Sequence, residues 1–76
     1  MKALVEYMVK ALVDDPAAVR VNTVEGANLT VYEVNVAPAD LGKVIGRQGR
    51  IANALRSVVK AAAMKTEERA TVEIVS

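Results

Sequence analysis

The chain has 76 residues, 53% hydrophobic and 25% charged with a formal net charge of +1, a size and composition that fit one small globular domain and exclude both a second domain and a disordered segment. It contains no cysteine and no histidine, which removes disulfide frameworks, thiolate metal ligands and the commonest general bases, so neither a metal nor a cofactor is expected. No run approaches the ~18 consecutive apolar residues of a membrane span, and Glu6 interrupts an amino terminus that lacks the small-residue cleavage site of a signal peptide; a soluble cytoplasmic protein is the expectation.

From Lys2 to Val13, Leu4, Met8 and Leu12 recur every fourth residue with Val5, Val9 and Val13 beside them, while Lys2, Glu6, Lys10 and Asp14 fall on the opposite side. That period predicts an amphipathic helix, reinforced by a Glu6–Lys10 pair worth about 0.3 kcal/mol and ended by Asp14-Asp15-Pro16. Val19 to Asn22 alternates, Glu25-Gly26-Ala27-Asn28 supplies turn chemistry, and Thr30 to Val36 alternates again, which reads as a hairpin. In its second strand Tyr32, Val34 and Val36 share the face expected to be buried. Between Val21 and Val24 the apolar phase slips by one residue, the mark of either a bulge or an early strand end. Pro38 and Asp40 suit the first turn of a short helix running to Ile45; a longer helix follows from about Gly49 to Met64, and Ala70 to Ile74 alternates as a last strand. The order helix, strand, strand, helix, helix, strand predicts a single α+β domain of two layers, with the helices on one face of a three-stranded sheet.

Between the two later helices lies Gly46-Arg47-Gln48-Gly49. Glycine accepts positive φ and lets another backbone come close, and a turn that opens a helix presents free N–H groups and the positive end of the helix dipole, which together favour a phosphate. The charges point the same way. Leu41 to Thr66 holds six basic residues, Lys43, Arg47, Arg50, Arg56, Lys60 and Lys65, and no acidic one, whereas the remainder holds four basic against nine acidic. A window of one sign around a glycine turn implies an anionic partner.

The turn, the preceding Val44-Ile45 and the order of elements resemble the signature of a KH domain in its prokaryotic, type II arrangement, and VAPADLGKVIGRQGRIANALRSVVKAAA with the amino-terminal helix is similar to the bacterial stand-alone single-KH proteins of the KhpA family. The resemblance covers essentially the whole chain. It implies an RNA-binding protein, an RNA chaperone or post-transcriptional regulator, that clamps about four nucleotides of single-stranded RNA. Carried onto this sequence, Gly46 and Gly49 permit close approach, Arg47 and Gln48 face phosphate and sugar, Lys43 and Arg50 flank the turn, and Val44, Ile45 and Val34 form the apolar groove floor. One position departs from the general KH pattern, which puts a large aliphatic three residues after the second glycine, where this chain has Ala52 preceded by Ile51. Tyr7 and Tyr32, the only aromatics, read as packing residues rather than stacking platforms.

The long helix carries a second message. Its polar residues Arg50, Asn53, Arg56, Ser57 and Lys60 fill only about a third of the helical circumference, whereas packing on a sheet requires an apolar stripe of ~100°. The surplus flank, Ile51, Ala54, Val58 and Ala61, is covered either by the first helix or a loop, or by a dimer contact. The resemblance implies self-association or pairing with a larger KH-containing protein, so a protein-interaction module with RNA binding secondary is the alternative function. Catalysis is not expected, because no carboxylate pair lies in a catalytic setting, and a GxxxxGK[ST] nucleotide loop is absent.

Overall fold

The computed structural model, which describes residues 1–75, places the elements in the expected order: α1 (Lys2–Leu12), β1 (Arg20–Glu25), β2 (Thr30–Asn35), α2 (Leu41–Ile45), α3 (Arg50–Met64) and β3 (Ala70–Ile74). Helix α1 stops at Leu12 because Val13 is already extended, and Pro16–Ala18 then makes a single 3₁₀ turn into the first strand. Glu6 and Lys10 meet at 4.0 Å, as their spacing predicts. The expected helix from Pro38 is divided: Pro38–Asp40 is a 3₁₀ turn, and α2 proper begins at Leu41.

The sheet has the order β1-β2-β3, with β1 antiparallel and β3 parallel to the central β2. Parallel strands need a crossover, and α2 and α3 supply it. Across the hairpin, residues pair one to one from Arg20 with Asn35 to Glu25 with Thr30. The apolar slip at Val24 is therefore neither a bulge nor a strand end: the strand runs on, and Val24 points out of the far face of the sheet, 47% exposed, opposite Val31.

The helices cover the other face. The core joins Val5 and Val9 of α1, Val21 of β1, Tyr32 and Val34 of β2, Val44 of α2, Val59 and Ala63 of α3, and Ala70 and Val72 of β3. Within α1 the deepest stripe is Val5 and Val9, with Leu4 and Met8 half-buried and Leu12 exposed, so the helix is rotated slightly from the face its leucines mark. Valine and alanine build almost all of this core. Burying a valine-sized side chain is worth about 1.5–3 kcal/mol, and with so few contributors each one matters.

Asp40 is the one buried charged side chain among the described residues, 2% exposed. Its carboxylate accepts the Asp14 N–H at 3.2 Å and the Asp15 N–H at 3.0 Å, and Lys43 Nζ lies 3.4 Å away. Burial alone drives this carboxyl up, but the two backbone N–H donors and the Lys43 ammonium outweigh it and hold the group below the usual carboxylate range. The chain leaving α1 is thereby tied to the start of α2.

Candidate nucleic-acid interface

Helix α2 ends at Gly46, whose φ of 75° and ψ of 173° suit glycine almost alone. Arg47–Gly49 then forms one 3₁₀ turn, with Gly49 at φ 75° and ψ 14° serving as the amino cap of α3. Gln48 is also left-handed, at φ 56° and ψ 26°, a strain that the glycine pattern does not reveal. The Gly46 N–H donates to Gly42 O at 2.9 Å and the Gly49 N–H to Gly46 O at 3.2 Å. Arg47 and Gln48 stand between the two glycines. Both side chains are exposed. An exposed cation therefore stands at the positive end of a helix of 15 residues.

The two glycines do different work. A Cβ on Gly46 would lie 2.7 Å from Ile51 Cγ1 and 2.9 Å from the Ile51 nitrogen, whereas a Cβ on Gly49 would meet nothing within 4 Å. Gly46 lets the start of α3 pack back against the turn; Gly49 leaves an open approach from outside. This also accounts for the exchange of sizes at positions 51 and 52: Ile51 lies against the bare face of Gly46, and the small Ala52 is buried beneath.

Val44 and Val34 have no exposed surface, so they support the site from below and are not a groove floor that a strand could touch. The reason is topological. Helix α3 makes its closest approach to the sheet along β3, its edge strand. Successive turns of α3 carry Asn53, Arg56, Ser57 and Lys60 away from the glycine turn along one side, over ~16 Å from Gly49 to Lys60. Arg56 Nε donates to Val72 O at 3.0 Å and Nη1 to Asn53 Oδ1 at 2.9 Å. Beyond it opens a depression of about 590 Å³ between α3 and β3, lined by Arg56, Ser57, Lys60, Met64, Ala70 and Thr71 among others. The polar third of the helical wheel was the sequence signal for this surface; the neighbouring strand was not legible.

Lys43 and Arg50 are placed differently from the other candidates. The Lys43 ammonium pairs with Asp14 and Asp40; its hydrogen bond to Asp14 holds it above the ordinary lysine range, against an opposing effect of burial. Arg50 stands on the opposite flank of α3, at the rim of a second depression of about 500 Å³ lined also by Tyr7, Met8, Ala11, Leu12, Ile51, Ala54, Leu55 and Val58. Helix α1 forms one wall of this groove without filling it. Ile51 is half-buried, Ala54 and Ala61 are exposed, and Val58 is 45% exposed. Tyr32 is a core residue as expected, but Tyr7 is 74% exposed beside this groove and packs on nothing comparable.

The profile of the family described as KhpA/KhpB, KH domain, matches residues 2–74. The chain belongs to this KH-domain family. Relatives named RNA-binding protein KhpA include those of Caldanaerobacter subterraneus subsp. tengcongensis and Clostridium perfringens, each 55% identical over 75 residues, spanning 99% of this chain and 100% of the relative. The KhpA of Aquifex aeolicus is 49% identical over 74 residues, 97% of this chain and 94% of its own. KhpA/KhpB domains are binding modules and not enzymes, and the α+β architecture with a three-stranded mixed sheet is that of the KH fold. No solved structure matches the chain. No helix of the described residues is long and apolar enough to cross a membrane.

Proposed function

We propose that this chain binds single-stranded RNA in the cytoplasm, holding the backbone of about four nucleotides at the Gly46–Gly49 turn and leading the bases along the α3–β3 depression, and that it acts as an RNA chaperone or post-transcriptional regulator. The observation that carries this reading is the turn itself: the open side of Gly49 and the exposed Arg47 side chain meet at one helix start. The names of the relatives supply RNA as the polymer. With no aromatic platform beside the turn, phosphate contacts dominate affinity. Two to four of them give a slope of about −1.4 to −2.8 in log K against log salt.

Changing Arg47 and Gln48 together to aspartate tests the clamp. Aspartate tolerates the left-handed conformation at position 48, so the fold is retained. Crosslinking to RNA in cells is expected to disappear; crosslinking at the wild-type level in the folded variant refutes the clamp.

The exposed apolar groove between α1 and α3 favours a second reading, pairing through this face with another copy of the chain. The flank from Ile51 through Ala54 to Val58 carries only small and aliphatic side chains, which permit close approach of a second helix. Sedimentation of a monomer at tens of micromolar removes the homodimer. Loss of crosslinking in the aspartate variant with partner pairing and cellular phenotype intact makes pairing, including pairing with a larger KH-containing protein, the main function.

A further inference from the structure

We propose that Asp40 is a positioning residue for the RNA-binding turn; the inference rests on the RNA reading above. Asp40 lies six residues before Gly46 and does not reach the turn. Its carboxylate is instead spent on a junction: it accepts the N–H groups of Asp14 and Asp15, at 3.2 and 3.0 Å, from a segment more than twenty residues earlier, and it approaches Lys43 one helical turn ahead.

The need for such a junction follows from the length of α2. This helix has five residues, too few to hold its own direction, since isolated helices below ~12 residues are marginal. Of those five, only Val44 is fully buried. Gly46 at its far end is left-handed, and its N–H is tied only to Gly42 within α2. The direction in which α2 delivers the turn is set by apolar packing, of Val44 and Leu41 on the core and of Ile51 on the bare face of Gly46, together with one polar anchor, the Asp40 carboxylate against the exit of α1. Val44 is a pivot. Asp40 fixes the rotation about that pivot.

The chemistry makes the role testable by sign. Asparagine at position 40 removes one negative charge from a protein that binds a polyanion, so electrostatics alone predicts tighter binding. It also replaces one acceptor oxygen by an NH₂ group, which then faces the backbone N–H of Asp14 or of Asp15, donor against donor. Loss of the junction predicts weaker binding despite the extra positive charge.

The experiment measures Kd by fluorescence anisotropy with a labelled eight-nucleotide single-stranded RNA, at a temperature where Asp40→Asn is folded by circular dichroism. Val21→Ala, a core change in β1 outside α2 and the Asp40 junction, serves as the control for lost stability. We expect Kd to rise about 3- to 10-fold in Asp40→Asn, with amide NMR shifts at Arg47, Gln48 and Gly49, and neither change in Val21→Ala. An unchanged or lower Kd in folded Asp40→Asn overturns the proposal. So does an equal loss in Val21→Ala. Should Asp40→Asn not fold, Asp40→Ser, which keeps one acceptor, takes its place under the same criteria. If the wild-type protein binds no RNA, the RNA reading fails separately, and the amide shifts of the turn then decide: unmoved resonances in the Asp40 variant overturn the positioning role.

Discussion

Replacing Gly46 and Gly49 separately by alanine asks whether the two glycines of the turn serve the fold and the ligand respectively. At Gly46 the backbone conformation is open to glycine almost alone, which costs another residue about 1–3 kcal/mol. The added methyl also meets Ile51 at 2.7 Å, an overlap worth a further ~1–3 kcal/mol. The smaller unfolded-state entropy of alanine returns about 0.4–1 kcal/mol. The net loss is a large share of the ~4–11 kcal/mol available to a domain of this length. At Gly49 the left-handed penalty of about 1–2 kcal/mol is largely offset by the same entropy term, and the methyl meets nothing. Thermal unfolding followed by circular dichroism should therefore show a distinctly larger fall for Gly46→Ala, about 1–6 kcal/mol, than for Gly49→Ala, about 0–1.6 kcal/mol, at about 4–8 °C per kcal/mol. RNA anisotropy should show the reverse emphasis: Gly49→Ala, still folded, loses affinity because its methyl occupies the approach of the strand. A Gly49→Ala protein that binds RNA as the wild type does, or a Gly46→Ala protein as stable as the wild type, refutes the division of labour.

Asp14→Asn removes the exposed partner of Lys43 at little cost in stability; the released ammonium should raise RNA affinity at low salt and steepen the salt slope by about 0.7, a gain that adding Lys43→Met must abolish. Asp40 sits below its ordinary range in the folded protein, so its contribution to stability is present above the unfolded carboxylate pKa and is lost as pH falls through the folded value; Lys43, held above its ordinary range, contributes below the unfolded lysine pKa and loses that contribution as pH rises through the folded one. Denaturant midpoints measured across pH should fall off at both extremes, with the acid limb reduced in Asp40→Asn and the alkaline limb reduced in Lys43→Met but not removed, because burial holds the Tyr32 hydroxyl above its ordinary range and its ionisation in the unfolded chain also costs stability there. Val58→Glu, at an exposed position of the α1–α3 groove, should leave the melting temperature of a monomer within a few degrees and abolish any dimer seen by sedimentation; a dimer that persists locates the contact elsewhere.

The elements were readable because each rests on a local period: valines and leucines every third or fourth residue in α1 and α3, every second residue in β2 and β3. The turn was readable because its glycine pair falls between two helical periods and inside a window of basic residues. What the chain concealed are contacts between distant segments. Nothing local distinguishes Asp40 from an ordinary first-turn acid, since its partners are backbone N–H groups more than twenty residues away. The groove floor was placed on β2 because Val34 alternates correctly, yet strand order is a property of the crossover, and α3 comes to rest beside β3. Tyr7 reads as a packing residue by sequence, but it stands exposed, outside the valine-rich core.

Arg56 has a consequence for solubility as well. Arg69 and Val75 direct their backbone groups to β2, so by alternation Ala70, Val72 and Ile74 turn theirs to the open side. Such an edge is a template on which a second polypeptide can add a strand. The Arg56 guanidinium already occupies the Val72 carbonyl in the middle of that row, and α3 stands over the edge. A peptide strand, which must pair group by group, is thus turned away, while a chain of nucleotides, which has no such register to satisfy, is not.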